Sequence, residues 1–598
     1  MKIEKLKFMK KIMLNTANKK TVTGYCSTVI GYCLLVIGYC LTVIGFASCT
    51  DLDEHPYTFI DPSSYYNNEK ELNSALNTVY NAIRSVYNDG GTFMRLEGCT
   101  DFGQPNREGN KNNINDINAW KYQNQENNAG TFTAVWTKSM ACINRANNVI
   151  AQLEASKSMD ETLCKRAIAQ AKFMRAAAYY LIVRIYGGAP IIKTVTTSLD
   201  NLSFPRATID ETFAFIIEDL EYCEQNLPAR GTEGYEEWRV SKGAAQAYLA
   251  NLYLYRASMA GSGGYTTFDK TLLGKAKEYC EKVINSGVYS LESDFANLWC
   301  SLNGDKARNN VESIFELQYS TIKGQQNGMH QNFGMFADSV YPEDFVSFGK
   351  TISTGGGGSY YYLRTGASVE AWKSYDANDQ RLKVLISEGT YSKGGNTVHC
   401  IFDPDTDLGS LKGNKGWGSC CPGNIKVHDF SKAAREALRS GNNFMVMRYA
   451  QVLLDYAEIC NCLGEQSKAL QYLNMVRQRA GLPAQTAAAA TAKWQGDERC
   501  SIANDADAID EAIFQERGWE FIGEGVIYFD ELRTDRLGKR VGYFVKKYNT
   551  MKYNQVLPLE FVPSKTHLWW IPTADMSANS DLVQNPDNKE DTRYLKYK

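Results

Sequence analysis

The sequence predicts a mainly α-helical protein, built of irregular tetratricopeptide-like helix pairs with a loop-rich, partly β ligand-binding region. Three observations predict it. Apolar residues recur at spacings of three and four over long stretches. Alanines and glycines sit where neighbouring helices would meet. Between about Cys300 and Asn443 the helical period gives way to strand-like pieces and glycine-rich loops.

In chain order, the spacing predicts a first helix over Glu69 to Tyr87, with Leu72, Leu76, Val79, Tyr80 and Ile83 in phase. A second spans Ala134 to Leu153. A third spans Glu161 to Tyr186, where Ile168, Ala171, Met174, Ala178, Leu181 and Ile185 form one stripe. Ala167 and Ala177 admit a close neighbour, and Gly187, Gly188 and Pro190 end the helix. Thr208 and Glu211 form a capping box that opens a helix to Asn226. Further helices follow over Ser241 to Ala260 and Leu273 to Ser286. Ser313 to Tyr319 and Arg381 to Ile386 read as strands. Helices return over Arg448 to Cys462, Gln466 to Ala480 and Asp507 to Gly523. The expected organisation is a leader at 1–48 and a body at 49–598. The body divides into a helical half at 49–300, a loop-rich insert at 301–443 and a helical part at 444–598.

The leader has a lysine-rich start, then an apolar, uncharged run from Thr21 to Phe46, then Ala47-Ser48-Cys49. That order is a secretory signal, and its end resembles a bacterial lipobox in which Cys49 carries lipid, with Phe46 where leucine is usual. A retained membrane span is the competing reading, disfavoured by the Gly, Tyr, Thr and Ser that dilute the run. Asp51, Asp53 and Glu54 directly behind Cys49 resemble a surface-export signal of Bacteroidetes lipoproteins.

Composition narrows the function. The 65 basic and 67 acidic side chains give a net charge of -2, which offers no broad attraction to a polyanion, so nucleic acid is not an expected partner. The cysteines show no CxxC pair and no histidine at zinc spacing; most are expected as small buried hydrophobes, with Cys420-Cys421 the foremost candidate for a bridged pair. None of the five histidines forms a zincin motif, and there is no GxSxG elbow. Asp403, Asp405 and Asp407 echo a calcium loop, but Leu408 stands where glycine is needed, so a solvated acidic turn is expected. Glu516, Glu520 and Glu524 beside Arg517 are expected to form a structural ion-paired face. No cofactor, metal or catalytic group is expected.

The apolar and polar blocks carry a family likeness. Arg166 to Pro190, Phe204 to Thr208 with Ile217 to Leu220, Arg448 to Glu458 with Asn474 to Gly481, Glu516 to Gly525, Leu568 to Pro572 and Gln584 to Pro586 together resemble the SusD/RagB family, in its order. Val526 stands where that family often has arginine, and Gln451 where it often has glutamate. The resemblance implies a tetratricopeptide-like helical fold with a variable ligand face. It also implies a lipid-anchored outer-membrane protein above a SusC-like TonB-dependent transporter, binding oligosaccharides or, in some members, peptides.

A sugar offers an apolar face and many hydroxyls, so rings and amides are the groups to seek. The segment Asn112 to Asn128 supplies both: Asn115, Asp116, Asn118, Trp120 and Tyr122 are the first candidates. Tyr360, Tyr361 and Trp417 beside the glycine-rich loops are the second set, while Trp372 is expected to pack on the core. The expected function is capture of nutrient oligosaccharides at the cell surface and their delivery to the transporter. The alternatives are a peptide binder, a glycosidase with an unmarked carboxylate pair, and a scaffold for a partner protein.

Overall fold

The computed structural model describes residues 68–88, 96–105, 129–195, 203–259, 268–329, 365–386, 422–429, 439–550 and 568–585, with residue 434 and the strand segments 344–347, 350–353, 388–393, 396–402 and 416–419. The leader with Cys49, Cys420-Cys421 and the acidic turn at Asp403, Asp405 and Asp407 lie outside the described residues.

Helix α1 (Glu69–Tyr87) begins where the Asn68 side chain accepts the Glu71 N–H, and it buries Leu72, Leu76, Val79, Ile83 and Val86. Helix α2 (Ala129–Ala155) follows, then α3 (Glu161–Tyr186), which is buried nearly all round and stops at Gly187, φ 81°. Helix α4 (Ile209–Asn226) starts from a formed capping box, in which Glu211 reaches back to the Thr208 N–H while the Thr208 hydroxyl accepts the Glu211 N–H. Helices α5 (Lys242–Met259) and α6 (Lys270–Asn285) complete the half. Each helix packs on the next in sequence. The small side chains of α3 and α5 allow that approach, and the Tyr180 ring meets Phe213, Tyr248 and Tyr255 edge-on. Arg175 of α3 bonds Asp219 of α4 and Asn147 of α2, clipping three successive helices with one buried guanidinium.

The C-terminal helices are α7 (Tyr449–Cys462), α8 (Gln466–Arg479), α9 (Ala487–Trp494), α10 (Asp505–Phe521), α11 (Ile527–Arg533), α12 (Leu537–Thr550) and the short Thr573–Ala578. Because α6 packs on α7, the pairing continues across the break in sequence. The strands are β1 (Gly103–Pro105), from upstream of the insert, β2 (Ser313–Leu317), β3 (Asp344–Ser347), β4 (Lys350–Ser353), β5 (Thr365–Ala367), β6 (Leu385–Ile386), β7 (Glu388–Lys393), β8 (Asn396–Phe402), β9 (Gly416–Ser419) and β10 (Gly423–Asn424), from the insert, and β11 (Phe444–Arg448), at the start of the C-terminal part. Strands β3, β4, β7, β8 and β9 form a sheet in the order β4-β3-β7-β8-β9; β2 pairs with β11, β1 with β5 and β6 with β10, all antiparallel.

Several bounds shift, α2 starting at Ala129 rather than Ala134, and two changes have a visible cause. Arg381 to Ile386 is not one strand: Gln380–Val384 is a 3-10 turn, followed by the two-residue β6. The Asp379 carboxylate accepts the Arg381 N–H, and the turn aims the buried Arg381 guanidinium at Asp379, Glu516 and Glu520. An extended backbone would not bring those partners to one group. Helix α10 ends at Phe521 rather than Gly523, which takes φ 80° with the Asn424 side chain packed against it.

Ion pairs fill the seam between insert and helices. Arg448 bonds Glu312, Glu520 and Glu524; Arg479 bonds Glu312 and Glu520; Lys426 bonds Glu524. Glu516, Glu520 and Glu524 are buried and paired, so they are framework rather than acid/base groups. Arg206, from the Phe204 to Thr208 block, donates to the carbonyls of Tyr186, Gly188 and Val583 and to the Asn585 side chain. It thereby joins the end of α3 to the C-terminal block. Val526 and Gln451, the two departures from the family pattern, line one small cavity of about 40 Å³.

Candidate functional site

The polar side of α1 opens onto a cleft of about 600 Å³. Asn77, Tyr80, Asn81 and Arg84 lie at i, i+3, i+4 and i+7, so a helical backbone sets them in one stripe beside the buried Leu72–Leu76–Val79–Ile83 face. The opposite wall comes from the end of β2 and the turn after it, with Glu316, Gln318, Lys323 and Gln325. The third wall is the loop between α4 and α5, which presents Trp238 and Arg239. A second opening shares Asn77 and continues toward Asn73 and Lys70 along the same helix.

Local hydrogen bonds fix each wall. The α4–α5 loop runs through successive turns, with Thr232, Tyr235 and Arg239 N–H groups donating to the carbonyls of Ala229, Thr232 and Glu236. Gly231 and Gly234 adopt φ 79°, which those turns require. Arg230 anchors the loop by donating to the carbonyls of Asn309, Asn310 and Ser313. At the far end the Val240 N–H donates to the Tyr80 hydroxyl, which donates to Gln170. Burial holds that phenol up at about 12, so it stays a neutral donor. The turn after β2 closes by Ser320 and Gln325 N–H bonds to the carbonyls of Gln325 and Ile322.

The result is an indole set on a polar cleft. Trp238 is 57% exposed, although a tryptophan is normally among the better-buried side chains. The Arg239 guanidinium lies 4.6 Å from the Tyr80 ring centre and donates to Asn77. Arg84 donates to Asn81 and to the Gln318 carbonyl, and stands 5.5 Å from the Tyr319 ring centre. The carboxylate in the cleft, Glu316, is buried and accepts from the Ser313 hydroxyl, the Asn443 amide and the Asn309 N–H. Burial raises it above the ordinary carboxylate range. An exposed ring beside amides and guanidiniums is matched to a ligand with one apolar face and several hydroxyls. Among the described residues no cluster has the make-up of a metal site.

Of the residues the sequence singles out, Asn115, Asp116, Asn118, Trp120, Tyr122, Tyr360, Tyr361 and Cys49 lie outside the described residues. Trp417 stands on β9, paired in parallel register with Cys400 of β8. Trp372 is half-buried on the short helix Val369–Ser374. The cleft residues were not among the candidates. Their signal was present: Asn73, Asn77 and Asn81 recur every four residues on the outer side of the first helix, and Trp238 closes a polar stretch that has no apolar period.

Comparison with known proteins places this geometry in a family. Residues 311–587 match the model described as the SusD family, and residues 51–254 match one described as starch-binding, associating with the outer membrane. SusD-like protein P2 of Formosa agariphila is 26% identical over 449 residues, covering 73% of this chain and 79% of that protein. The crystal structure of a SusD homolog from Bacteroides thetaiotaomicron superposes with a TM-score of 0.66 at 21% identity, over 88% of this chain and 98% of that one. A crystal structure with xylogluco-oligosaccharide superposes with a TM-score of 0.61 at 21% identity, over 86% and 99%. The two family models cover both halves of the body, in agreement with the helical architecture, and the chain belongs to the SusD family.

Proposed function

We propose that this protein captures oligosaccharides at the outer-membrane surface and passes them to a SusC-like TonB-dependent transporter, without cleaving them. The observation that carries the reading is the exposed Trp238 indole on a cleft walled by Asn77, Asn81, Gln318 and Gln325. A solvated indole of that size is retained at a cost in exposed apolar area unless something covers it. The solved relative with a xylogluco-oligosaccharide supports a sugar as the cover. Binding without hydrolysis fits the cleft, because glycoside hydrolysis uses two carboxyl groups across the bond. Among the described lining residues of the main cleft there is one, Glu316, already held by three donors. The lipid on Cys49 would hold the protein at the membrane. The loop with Asn115, Asp116, Asn118, Trp120 and Tyr122, together with Tyr360, Tyr361 and Trp417, is proposed as a further part of the capture surface.

A glycan array on the full chain, with Trp238→Ala and Trp120→Ala beside it, tests the reading. One stacked ring is worth about 1–3 kcal/mol by analogy with base stacking, so Trp238→Ala is expected to weaken the best ligand by roughly 5- to 150-fold. Binding of no glycan by the wild-type chain, or undiminished binding by both variants, would contradict it.

A further inference from the structure

The charge of the cleft is out of keeping with the chain that carries it. The whole sequence has a net charge of -2, yet the cleft gathers Arg84, Arg239 and Lys323 against a single lining carboxylate, Glu316. That carboxylate is not available to the cations: it is buried and turned to Ser313, Asn443 and Asn309. Arg84 donates only to uncharged oxygens, those of Asn81 and Gln318. Among the described residues it forms no ion pair, and burial with no carboxylate to offset it lowers its proton affinity below the ordinary arginine value. The Arg239 side chain is 9% exposed; its Nε has no hydrogen-bond acceptor and forms one long ion pair, 3.7 Å, with the part-exposed Glu236. Arg230, in the adjoining opening on the other side of Trp238, is likewise spent on backbone carbonyls. Glu233, Glu236 and Glu237 are the acidic groups on the loop; all three are solvent-exposed, and Glu237 lines that adjoining opening.

Holding the Arg84 guanidinium partly off water with no carboxylate beside it costs free energy. Neutral hydroxyls would be served by the amides already present. A planar guanidinium left with free donors is suited to an oxyanion, carboxylate or sulfate, which it can meet with charge-assisted hydrogen bonds. Resting on the proposed glycan-capture reading, we propose that this cleft selects oligosaccharides bearing an anionic substituent, a uronic-acid carboxylate or a sulfate ester. The sugar ring lies on Trp238, and its anionic group is held between Arg84 and Arg239, with Lys323 at the mouth.

Calorimetric titration of the full chain in detergent separates the outcomes. The probes are trigalacturonic acid, its methyl triester, a sulfated galactan tetrasaccharide and the desulfated tetrasaccharide. The expected result is at least tenfold tighter binding of one charged member over its neutral partner. The preference should shrink in 0.5 M NaCl and fall in Arg84→Gln more than in Arg84→Lys. Lys323→Gln, at an exposed position, should reduce the preference without altering the melting temperature, which keeps the test open if Arg84 variants fold poorly. Which pair shows the preference identifies carboxylate or sulfate. Equal binding of charged and neutral members would overturn the anionic assignment while leaving glycan capture intact. Binding of none of the four, from a chain that also binds nothing on the array, would overturn both.

Discussion

At the scale of single residues, burial decides which groups are framework. Glu97 is wholly buried, with one carboxylate oxygen accepting the Gly523 N–H and the other without a partner. Burial raises it from the ordinary 4.5 to about 7. The folded protein therefore holds a proton there that the unfolded chain gives up. The associated stability is complete below about pH 4.5 and is lost as the pH rises through about 7. Glu97→Gln keeps the shape and removes the ionisation. It is expected to flatten the stability–pH curve across that window and to add about 3 kcal/mol above it. Chemical denaturation of both proteins between pH 4 and pH 8 measures this, and parallel curves would count against it. Trp238 is the opposite case, an apolar side chain left in water. The sequence drew attention to Trp120 because amides crowd around it, and passed over Trp238, whose amide neighbours arrive from α1 and from the turn after β2. Proximity in space, not along the chain, builds that cleft.

At the scale of elements, the sequence was most legible where local chemistry and burial agree. The Asn68 and Asp160 caps, the Thr208–Glu211 box and the Gly187 stop place α1, α3 and the start of α4 as expected. Thr208→Ala removes one side of the box and should cost about 1 kcal/mol, read as a lowered unfolding midpoint with an unchanged denaturant slope. No change in midpoint would show that tertiary packing alone holds that end. Legibility failed at Gln380–Val384, where a buried ion pair outweighs the strand-like pattern of Leu382, Val384 and Ile386. It failed also at the outer face of α1, because a hydrophobic period reports what a helix hides and is silent about what its polar side is for.

At the scale of the whole molecule, the helical halves and the insert meet through buried charge. Arg448, at the junction of β11 and α7, reaches Glu312 before β2 and Glu520 and Glu524 around the end of α10. Arg448 is one of several cations on these buried carboxylates, with Arg479, Arg381 and Lys426 keeping contacts to them, so Arg448→Met is expected to destabilise by about 2–4 kcal/mol. Thermal unfolding followed by circular dichroism would show it, and a loss below 1 kcal/mol would mean that Arg479, Lys426 and Arg381 alone suffice to hold the carboxylates. The cavity beside Val526 and Gln451 fits this picture. The resemblance expects an arginine and a glutamate at those two places, and here both charges are absent together at one small void. The cleft lies on this frame, with α1 as one wall and β2, itself tied to β11, as another. The most direct test of the account is a crystal structure of the chain with the oligosaccharide it binds most tightly. The account predicts a sugar ring stacked on the Trp238 indole, with hydroxyls bonded to Asn77, Asn81 or Gln318. A bound sugar elsewhere, with the cleft beside Trp238 empty, would contradict it.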